Sequence, residues 1–502
     1  MTLNATGPIS LGGSVTGESI AIEVEQGPTN VISMNDTAVR KLGGTTSGAI
    51  TVPLNFWGRS YHAYFYTMFV KSGASLNITA MTIDSSGYGA LLGASYVSGA
   101  TPDIVFDRIG FDDVGNSTGG TNSTHAYYAT QYNGWTTAAI DSSGNVYAFN
   151  PKALVIFKFN SSGVFTSICG LTSTGGLSFT WPGMILGITT SQVMTDSLGN
   201  VYVSQQLLTI GTTTYLGAII KLNSSFVIQE AYAMESISGS TSSITPQNAG
   251  ASSNTYSTEK LWGYSVQRTI SGSNYAYMYI QSGTKRYEFS RNFGTGSVTN
   301  IYVQDMCFNS TGTVIYVAFE EQNGNQYIAK IDHAAGAVSW IKQITTGSIY
   351  RVCIAMDSSD NLYIAYGNGG ATVWNTIIAK VNSSDVVQWS RTFSGARALT
   401  PNRIRCDNTN VYISIRDEWA SPNAGILKVP VSGGNNVTFT LNLSAYSYAS
   451  SLTTLSTVTT YTTSTVNSPS GVDFTSAITA DILSESFVTS SITSFNKQLA
   501  LT

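Results

Sequence analysis

The chain has 502 residues, of which 24 are Lys or Arg and 28 are Asp or Glu, so only 10% are charged and the formal net charge is −4. A typical globular protein carries about 25% charged residues, whereas here 42% of residues are hydrophobic and 11% are aromatic. This composition excludes a disordered chain, which lacks apolar residues to bury, and it offers no basic surface for a nucleic acid. No stretch approaches about 18 consecutive apolar residues, so we expect no membrane insertion.

Residues 1–60 contain no internal repeat and predict a small separate module. The string GPISLGGSVTGESIAIEV predicts two strands around a Gly-Gly turn. VISMNDTAVRKLGG predicts a short helix, because Ser33 or Asn35 can cap its start and a glycine ends it. SGAITVPLNFWGRS predicts a strand that leads into the rest of the chain.

A short string recurs along the middle of the chain: an apolar run, Asp-x-x-Gly-Asn-x-Tyr, then apolar residues. Clear copies are AAIDSSGNVYAF, VMTDSLGNVYVS and IAMDSSDNLYIA, and looser ones are MTIDSSGYGALLG, MCFNSTGTVIYVAF and IRCDNTNVYISI. Each is followed by an apolar-Lys-apolar string such as VIFKFNSSG or IIAKVNSS. The repeat period is similar along the chain: Asp141 to Asp196 spans 55 residues and Asp357 to Asp407 spans 50. The gap from Asp196 to Asn309 is 113 residues, about twice this period, so it holds one degenerate copy, ISGSNYAYMYIQSGTKRYEFS.

One repeat predicts four antiparallel strands. The Asp-x-x-Gly-Asn string is typical of a tight turn, because Asp accepts hydrogen bonds from nearby backbone amides and Gly or Asn tolerates positive φ. Four strands in about 50 residues form one blade of a β-propeller. Seven copies across residues 61–445 therefore predict a seven-bladed β-propeller. The strings also resemble NHL- and SBBP-type propeller repeats, which implies the same fold but no function.

Residues 446–502 are nearly uncharged and rich in Ser, Thr and Tyr. They predict a β-rich C-terminal extension that closes the propeller, pairs with a neighbouring copy or contacts another protein. We therefore predict an all-β chain with three parts: a module at 1–60, a propeller at 61–445 and an extension at 446–502.

The N-terminal module resembles the first segment of many virion proteins of tailed bacteriophages. The similarity lies in three strings that occur in the same order, NATGPISLGG, ISMNDTAVRKL and SGAITVPLNFWGRS. It implies a structural protein of a phage particle that is anchored by this end. Asn35, Asp36 and Arg40 are then the candidate attachment residues; alternatively, they cap and solvate the short helix.

A search for catalytic or metal-binding patterns finds no convincing site. The three histidines form no metal-binding motif, and His125 and His333 are interpreted as solvated loop residues. No nucleophile elbow or phosphate-binding loop occurs. Adjacent acids point to opposite faces of a strand, so Glu320 and Glu321 are interpreted as solvated charges. Each Asp turn offers one carboxylate, which favours a turn-forming role over calcium binding. We expect no catalytic residue, metal or cofactor.

Two sets of aromatic residues stand out. The loop FDDVGNSTGGTNSTHAYYATQYNGW carries aromatic rings among Asn, Ser and Thr, a combination that suits sugars, although the rings could instead start the next strand and pack inside. The candidate glycan-binding residues are Tyr127, Tyr128, Tyr132 and Trp135. The second set recurs at one position of the repeat and comprises Tyr147, Tyr202, Tyr363 and Tyr412. This recurrence predicts that each ring packs between neighbouring blades and that each hydroxyl hydrogen-bonds a polar group.

The functional hypothesis is a non-enzymatic virion protein of the tail fibre, baseplate or another peripheral tail component. Its expected partners are other tail or baseplate proteins, further copies of itself in a trimer or a tail-symmetric ring, and a host surface glycan. Two alternatives stay open: a phage propeller enzyme that degrades host polysaccharide, and a secreted cellular propeller that acts as an interaction scaffold.

Overall fold

From Phe65 to Leu501 the computed structural model shows a succession of β-strands joined largely as antiparallel neighbours. Before Phe65 it describes only positions 20, 33 and 39, so the predicted N-terminal module and its Asn35, Asp36 and Arg40 lie outside the described residues. Side chains are described mainly, with gaps, within residues 139–172, 193–233, 261–344, 351–433 and 455–464.

The strand bounds follow in chain order. The first part contains β1 (Phe65–Val70), β2 (Ala74–Ile83), β3 (Gly89–Val97), β4 (Ile104–Phe111), β5 (Thr124–Tyr127), β6 (Thr137–Ile140), β7 (Val146–Asn150), β8 (Val155–Phe159), β9 (Phe165–Ser173), β10 (Leu177–Thr180), β11 (Gln192–Thr195), β12 (Val201–Gln205), β13 (Leu207–Ile210), β14 (Thr213–Leu222) and β15 (Ile228–Ser236). The middle contains β16 (Ile244–Ala251), β17 (Leu261–Ile270), β18 (Ser273–Ser282), β19 (Lys285–Gly294), β20 (Ile301–Phe308), β21 (Val314–Glu321), β22 (Gln326–Asp332), β23 (Ala337–Ile344), β24 (Ile349–Met356), β25 (Leu362–Gly369), β26 (Trp374–Val381), β27 (Val387–Gly395), β28 (Leu399–Cys406), β29 (Asn410–Asp417), β30 (Asn423–Pro430) and β31 (Val437–Leu441). The last part contains β32 (Ser444–Ser450), β33 (Leu455–Thr457), β34 (Thr462–Asn467), β35 (Gly471–Asp473), β36 (Ile478–Ile482), β37 (Val488–Ser490) and β38 (Asn496–Leu501).

Six blades are each built around one continuous stretch of chain. Their strands are β2–β5, β6–β9, β10–β15, β16–β19, β20–β23 and β24–β27. A further sheet is composite: β28, β29 and β30 follow one another, and β1, from the start of the described chain, pairs with β30 as the next strand. In this composite sheet Phe65 lies opposite Lys428.

The C-terminal strands β32–β38 run around the propeller in the reverse direction. Each adds an antiparallel strand next to the last strand of a different sheet, beginning with β32 on β27, β33 on β23 and β34 on β19. β35 then joins β15, β36 joins β9, β37 joins β5 and β38 joins β1. The chain thus covers the edge of every sheet that it built earlier.

The predicted count of seven blades is therefore wrong. Six blades come from continuous repeats, and the last repeat supplies only three strands of the composite sheet. The strands of residues 446–502 belong to the sheets themselves, which agrees with the first of the three alternatives predicted for them, that they close the propeller. Pairing satisfies backbone groups that an open sheet edge would leave exposed. The composite sheet also joins the two ends of the described chain, which a final four-stranded blade would not do.

The core lies between neighbouring sheets rather than within any one of them. The edge strands β2, β6, β11, β16, β20, β24 and β28 contact one another in this order, and β28 contacts β2, so the ring is closed. One cluster joins Phe289 of β19 to Val303 of β20, and the next joins Tyr316 of β21 to Ile354 of β24. Burial of apolar faces between adjacent sheets is thus the main contact that holds the ring together.

Candidate functional site

The recurring Asp turns join the first and second strands of a blade and are occupied by their own hydrogen bonds. Asp196 Oδ1 accepts the backbone N–H groups of Leu198 and Asn200, both at 2.9 Å. Its Oδ2 accepts the Asn200 side chain at 2.8 Å and the Tyr202 hydroxyl at 2.9 Å. Asp141 and Asp357 make the same set of contacts. Within the described residues no group of three or more potential metal-binding side chains occurs.

One backbone position makes each of these turns possible. Gly199 has a φ of +78°, a region where glycine meets no steric penalty. In the third clear copy Asp360 takes the corresponding position with a φ of +60°. Its carboxylate accepts the backbone N–H of Ser310 in the neighbouring blade at 2.7 Å, so the departure from glycine adds a contact between two turns.

The recurrent tyrosines fill the space between sheets, as predicted. Tyr202 is 1% exposed and lies in a cluster with Met194 of its own sheet and Trp262 of the next. Tyr147 and Tyr363 are equally buried, and each donates its hydroxyl to the Asp of its own turn. Burial first, and the neighbouring carboxylate second, raise the pKa of the Tyr147 phenol above its usual value. These tyrosines are structural.

Lysines of the second recurring string tie each blade to the next. Lys330 Nζ lies 5.7 Å from the centre of the Tyr316 ring in its own sheet and donates to both carboxylate oxygens of Asp385 in the next, at 2.8 and 3.0 Å. Lys158 likewise donates to the carbonyl oxygen of Ser224 at 2.6 Å. In these two copies the lysine of the repeat is thus an inter-sheet contact.

Three residues interpreted as solvated from the sequence are buried or bonded in the structure, so those predictions are wrong; Glu320, at 7% exposure, is one of them. Glu321 is fully buried and forms an ion pair with Arg291 of the preceding sheet. His333 Nδ1 lies 2.6 Å from the Tyr287 hydroxyl. Both contacts cross from one sheet to the next, and the residues adjacent in sequence give no sign of them.

A different set of polar residues comes from irregularities in the edge strands that face the centre of the ring. In five of these strands the register shifts by one residue, which marks a β-bulge. The extra residue is polar in every case: Thr79, Gln247, Gln304, Arg351 and Asn402. Bulges of this kind redirect a side chain and are frequent beside binding sites.

The bulge residues of the last three edge strands meet in what we call the inner polar cluster: Gln304, Glu320, Arg351, Asn402 and Arg403. Gln304 Nε2 donates to Glu320 Oε2 at 2.8 Å. Arg351 Nη1 donates to Asn402 Oδ1, and Arg403 Nη1 donates to the Asn402 carbonyl oxygen at 3.2 Å. Three neighbouring sheets thus contribute to one group of side chains.

The cluster combines cationic groups with one unusual acid. Glu320 is 7% exposed, and burial raises its pKa to about 7, although a hydrogen bond with Gln326 and the positive charge of Arg351 both oppose the shift. Glu321 points away from Glu320, toward Arg291, as the alternation along a strand predicts. The carboxyl of Glu320 can therefore gain or lose a proton near neutral pH, which is a frequent property of functional sites.

The sequence did not point to this cluster. Of the predicted glycan-binding residues, Tyr127 is the last residue of β5, whereas Tyr128, Tyr132 and Trp135 lie outside the described residues, as do all four side chains. The predicted attachment residues also lie outside the described part. The available signal was a polar residue at the bulge position of five edge strands.

Comparison with known proteins finds only distant similarities to solved structures. No known sequence family and no curated protein matches the chain. Among solved structures, an ulvan lyase described as a new family of polysaccharide lyase is 11% identical, with a TM-score of 0.38 over 73% of this chain and 95% of that one. A protein of unknown function from Bacteroides caccae is 9% identical, with a TM-score of 0.28 over 65% and 93%. A calcium-binding regucalcin from Agrobacterium tumefaciens is 10% identical, with a TM-score of 0.30 over 58% and 90%.

The closed ring of sheets places the chain among the β-propeller proteins. The similarity is too low to transfer an activity from any of them. Within the described residues no helix is both long and apolar enough to cross a membrane.

Proposed function

We propose that this chain is a non-enzymatic structural protein of a tailed-bacteriophage particle, attached through residues 1–60 and presenting its propeller outward. The observation that carries the proposal is the order of the parts: three phage-like strings precede a ring that closes on itself. A ring whose described strands all lie between Phe65 and Leu501 suits a module carried by a separate attachment segment. Other tail or baseplate proteins and further copies of this chain are the partners proposed for it in the virion.

The use of charge within the ring supports a structural role. Charged side chains bond to other groups within the ring in the Asp turns, at the repeat lysine Lys330 and in the Arg291–Glu321 ion pair. A host surface glycan is the proposed target of the outward face, with Tyr127, Tyr128, Tyr132 and Trp135 as proposed contacts.

The experiment is a deletion of residues 1–60 in the phage that encodes the chain. We expect the truncated protein to stay folded, because all described strands lie between Phe65 and Leu501, and to be absent from purified particles. Tyr202→Ala in the full-length chain is the control for lost folding. Incorporation of the truncated protein at the normal copy number would reject the attachment role.

A second candidate function is favoured by one specific observation. Glu320 has a pKa of about 7 and lies near Arg351, an arrangement that suits a general acid or base in polysaccharide cleavage. A reducing-end assay on polysaccharide of the host, with Glu320→Gln as the inactive control, separates the two candidates. Cleavage by the wild-type chain that Glu320→Gln abolishes would replace the non-enzymatic proposal.

A further inference from the structure

We propose that strand β34 is the docking edge for a second copy of this chain, whose own β34 pairs with it in antiparallel orientation about a two-fold axis. This pairing deepens the proposed function, on which it rests to the extent that further copies are among the proposed partners. The surface lies wholly on a strand that the structure describes.

Strand β34 (Thr462–Asn467) ends its sheet with an open edge. Among the described strands it pairs only with β19, in a ladder without a register shift. Thr462, Thr463 and Ser464 are exposed. In an antiparallel sheet alternate residues direct their backbone N–H and C=O groups to opposite sides of the strand, so about three residues of β34 direct theirs away from β19. These groups suit one further strand.

The other strands that residues 437–502 add at the outer edges are protected from such pairing, whereas β34 is not. Strands β33, β35 and β37 have three residues each. Strand β36 contains Asp481, β38 contains Lys497, and β31, which covers β32, contacts β38. Short length, charge and cover are the usual protections of a sheet edge. Strand β34 reads TTSTVN over six residues, with no charge and no proline, so it lacks all three.

The charged side chains beside this edge do not oppose a second copy. Ser464 Oγ donates to Glu288 Oε2 at 3.2 Å, and Glu288 also forms an ion pair with Arg286 at 2.6 Å. Lys285 lies opposite Asn467, at one end of β34, and its Nζ donates to two backbone carbonyl oxygens of the next sheet. Antiparallel pairing places the Lys285 residues of the two copies at opposite ends of the shared ladder, where their repulsion is weakened by distance and salt.

An identical strand fits this edge because antiparallel strands complement each other group for group. Residues directly opposite each other lie on the same face of a sheet, so a two-fold axis perpendicular to the sheet brings one residue opposite itself in the second copy. At the centre of β34 that residue is Ser464 or Thr465. Opposed hydroxyl residues favour strand pairing. The pairing uses the open edge of both copies, so association stops at two and does not continue into a fibre.

The small size of the contact sets the expected affinity. Two strands of this length bury less than the about 1,000 Å² that a stable interface needs. We therefore expect a weak dimer of the isolated chain, with a dissociation constant on the order of 100 µM. Copies held side by side on a particle have a higher effective concentration and pair more completely.

The first test is sedimentation velocity on the full-length chain from about 5 to about 300 µM, a range that brackets the affinity expected for so small an interface. We expect the mean mass to rise with concentration. Ser464→Lys should weaken this association at least about tenfold, because it brings two ammonium groups close to the axis. Leu198→Lys is the matched control: Leu198 is 73% exposed in an Asp turn, so the same charge added there should leave the association unchanged.

The second test locates the contact by cysteine cross-linking. Ser464→Cys or Thr465→Cys, whichever lies on the axis, should form a disulfide-linked dimer under mild oxidation, because opposed residues of antiparallel strands have Cα atoms about 4.5–5.5 Å apart. We expect this variant to cross-link at least about tenfold faster than Leu198→Cys, which exposes a thiol away from the edge. The wild-type chain is the control for its four native cysteines.

Three results overturn the proposal: a mass that does not change with concentration, an association that Ser464→Lys leaves as strong as in wild type, or cross-linking at both β34 positions no faster than in Leu198→Cys. Thermal melting confirms that each variant is folded. The measurements use the isolated chain, so failure of the pairing is distinguishable from failure of attachment through residues 1–60, which is judged by incorporation into particles.

Discussion

Replacement of Tyr202 by Ala should destabilise the propeller strongly, because this ring fills the gap between two sheets. Tyr202 is 1% exposed and packs against Ile219 of its own sheet and Trp262 of the next. Removing a large buried aromatic side chain typically lowers the free energy of unfolding by about 3–5 kcal/mol, since it removes apolar contacts and leaves a cavity.

A second variant separates packing from hydrogen bonding. Tyr202→Phe retains the ring and removes only the hydroxyl bond to Asp196 Oδ2, which still accepts the Asn200 side chain. We expect a loss of about 2 kcal/mol, the usual range for a hydrogen bond to a charged group. The matched control is Leu198→Ala in the same turn: Leu198 is 73% exposed, so its truncation should change stability by about 0.5 kcal/mol or less.

Guanidinium denaturation followed by tryptophan fluorescence measures all three variants. The expected order of midpoints is wild type and Leu198→Ala together, then Tyr202→Phe, then Tyr202→Ala. If Tyr202→Ala unfolds at the wild-type midpoint, the ring does not fill an inter-sheet gap. If Tyr202→Phe loses as much stability as Tyr202→Ala, the hydroxyl hydrogen bond and not the packing of the ring accounts for the destabilisation.

Three further predictions follow from other contacts. Burial raises the pKa of Glu320 from 4.5 to about 7, so between these values the folded chain keeps a proton that the unfolded chain releases, and the stabilisation is complete below about pH 4.5 and lost as the pH rises to about 7. Glu320→Gln should flatten this pH dependence and raise the free energy of unfolding at pH 8 by up to about 3 kcal/mol relative to wild type. The same slope of stability against pH in both proteins would contradict the assignment. Lys330→Met should lower the free energy of unfolding by about 1–3 kcal/mol, because it leaves the half-buried Asp385 without its cation. The control is Val386→Ala in the same turn; Val386 is 54% exposed, so this variant should melt at nearly the wild-type temperature. Truncation after Ser450 removes β33–β38 and uncovers six sheet edges, so light scattering should show aggregation that the intact chain lacks; a truncated chain that stays monomeric and melts normally would show that these strands are dispensable.

The repeat made the fold largely predictable, and the reason is local. Asp196, the glycine at 199 and Tyr202 lie within seven residues, so the turn, its positive φ and its buried ring are all encoded in one short string. The closure of the ring was not predictable in this way. Phe65 pairs with Leu501, and no short-range pattern relates the two ends of the chain.

The C-terminal stretch was predicted to be β-rich, but the sheet that each of its strands joins was not, because these strands carry little hydrophobic alternation. β34 reads TTSTVN, and its described side chains are exposed, so only backbone pairing with β19 fixes its place. The inner polar cluster was missed for a related reason. Glu320 and Glu321 look like a solvated pair, and their partners on other strands, such as Gln304 and Arg291, become neighbours only after the sheets have packed.

Mass spectrometry of purified particles tests the proposed function most directly. Particles from the strain that encodes the chain should contain it in a fixed ratio to the tail or baseplate proteins, and the ratio should persist through density-gradient purification. Detection of the chain only in the soluble fraction of the lysate, with none in particles that contain every tail protein, would contradict the account.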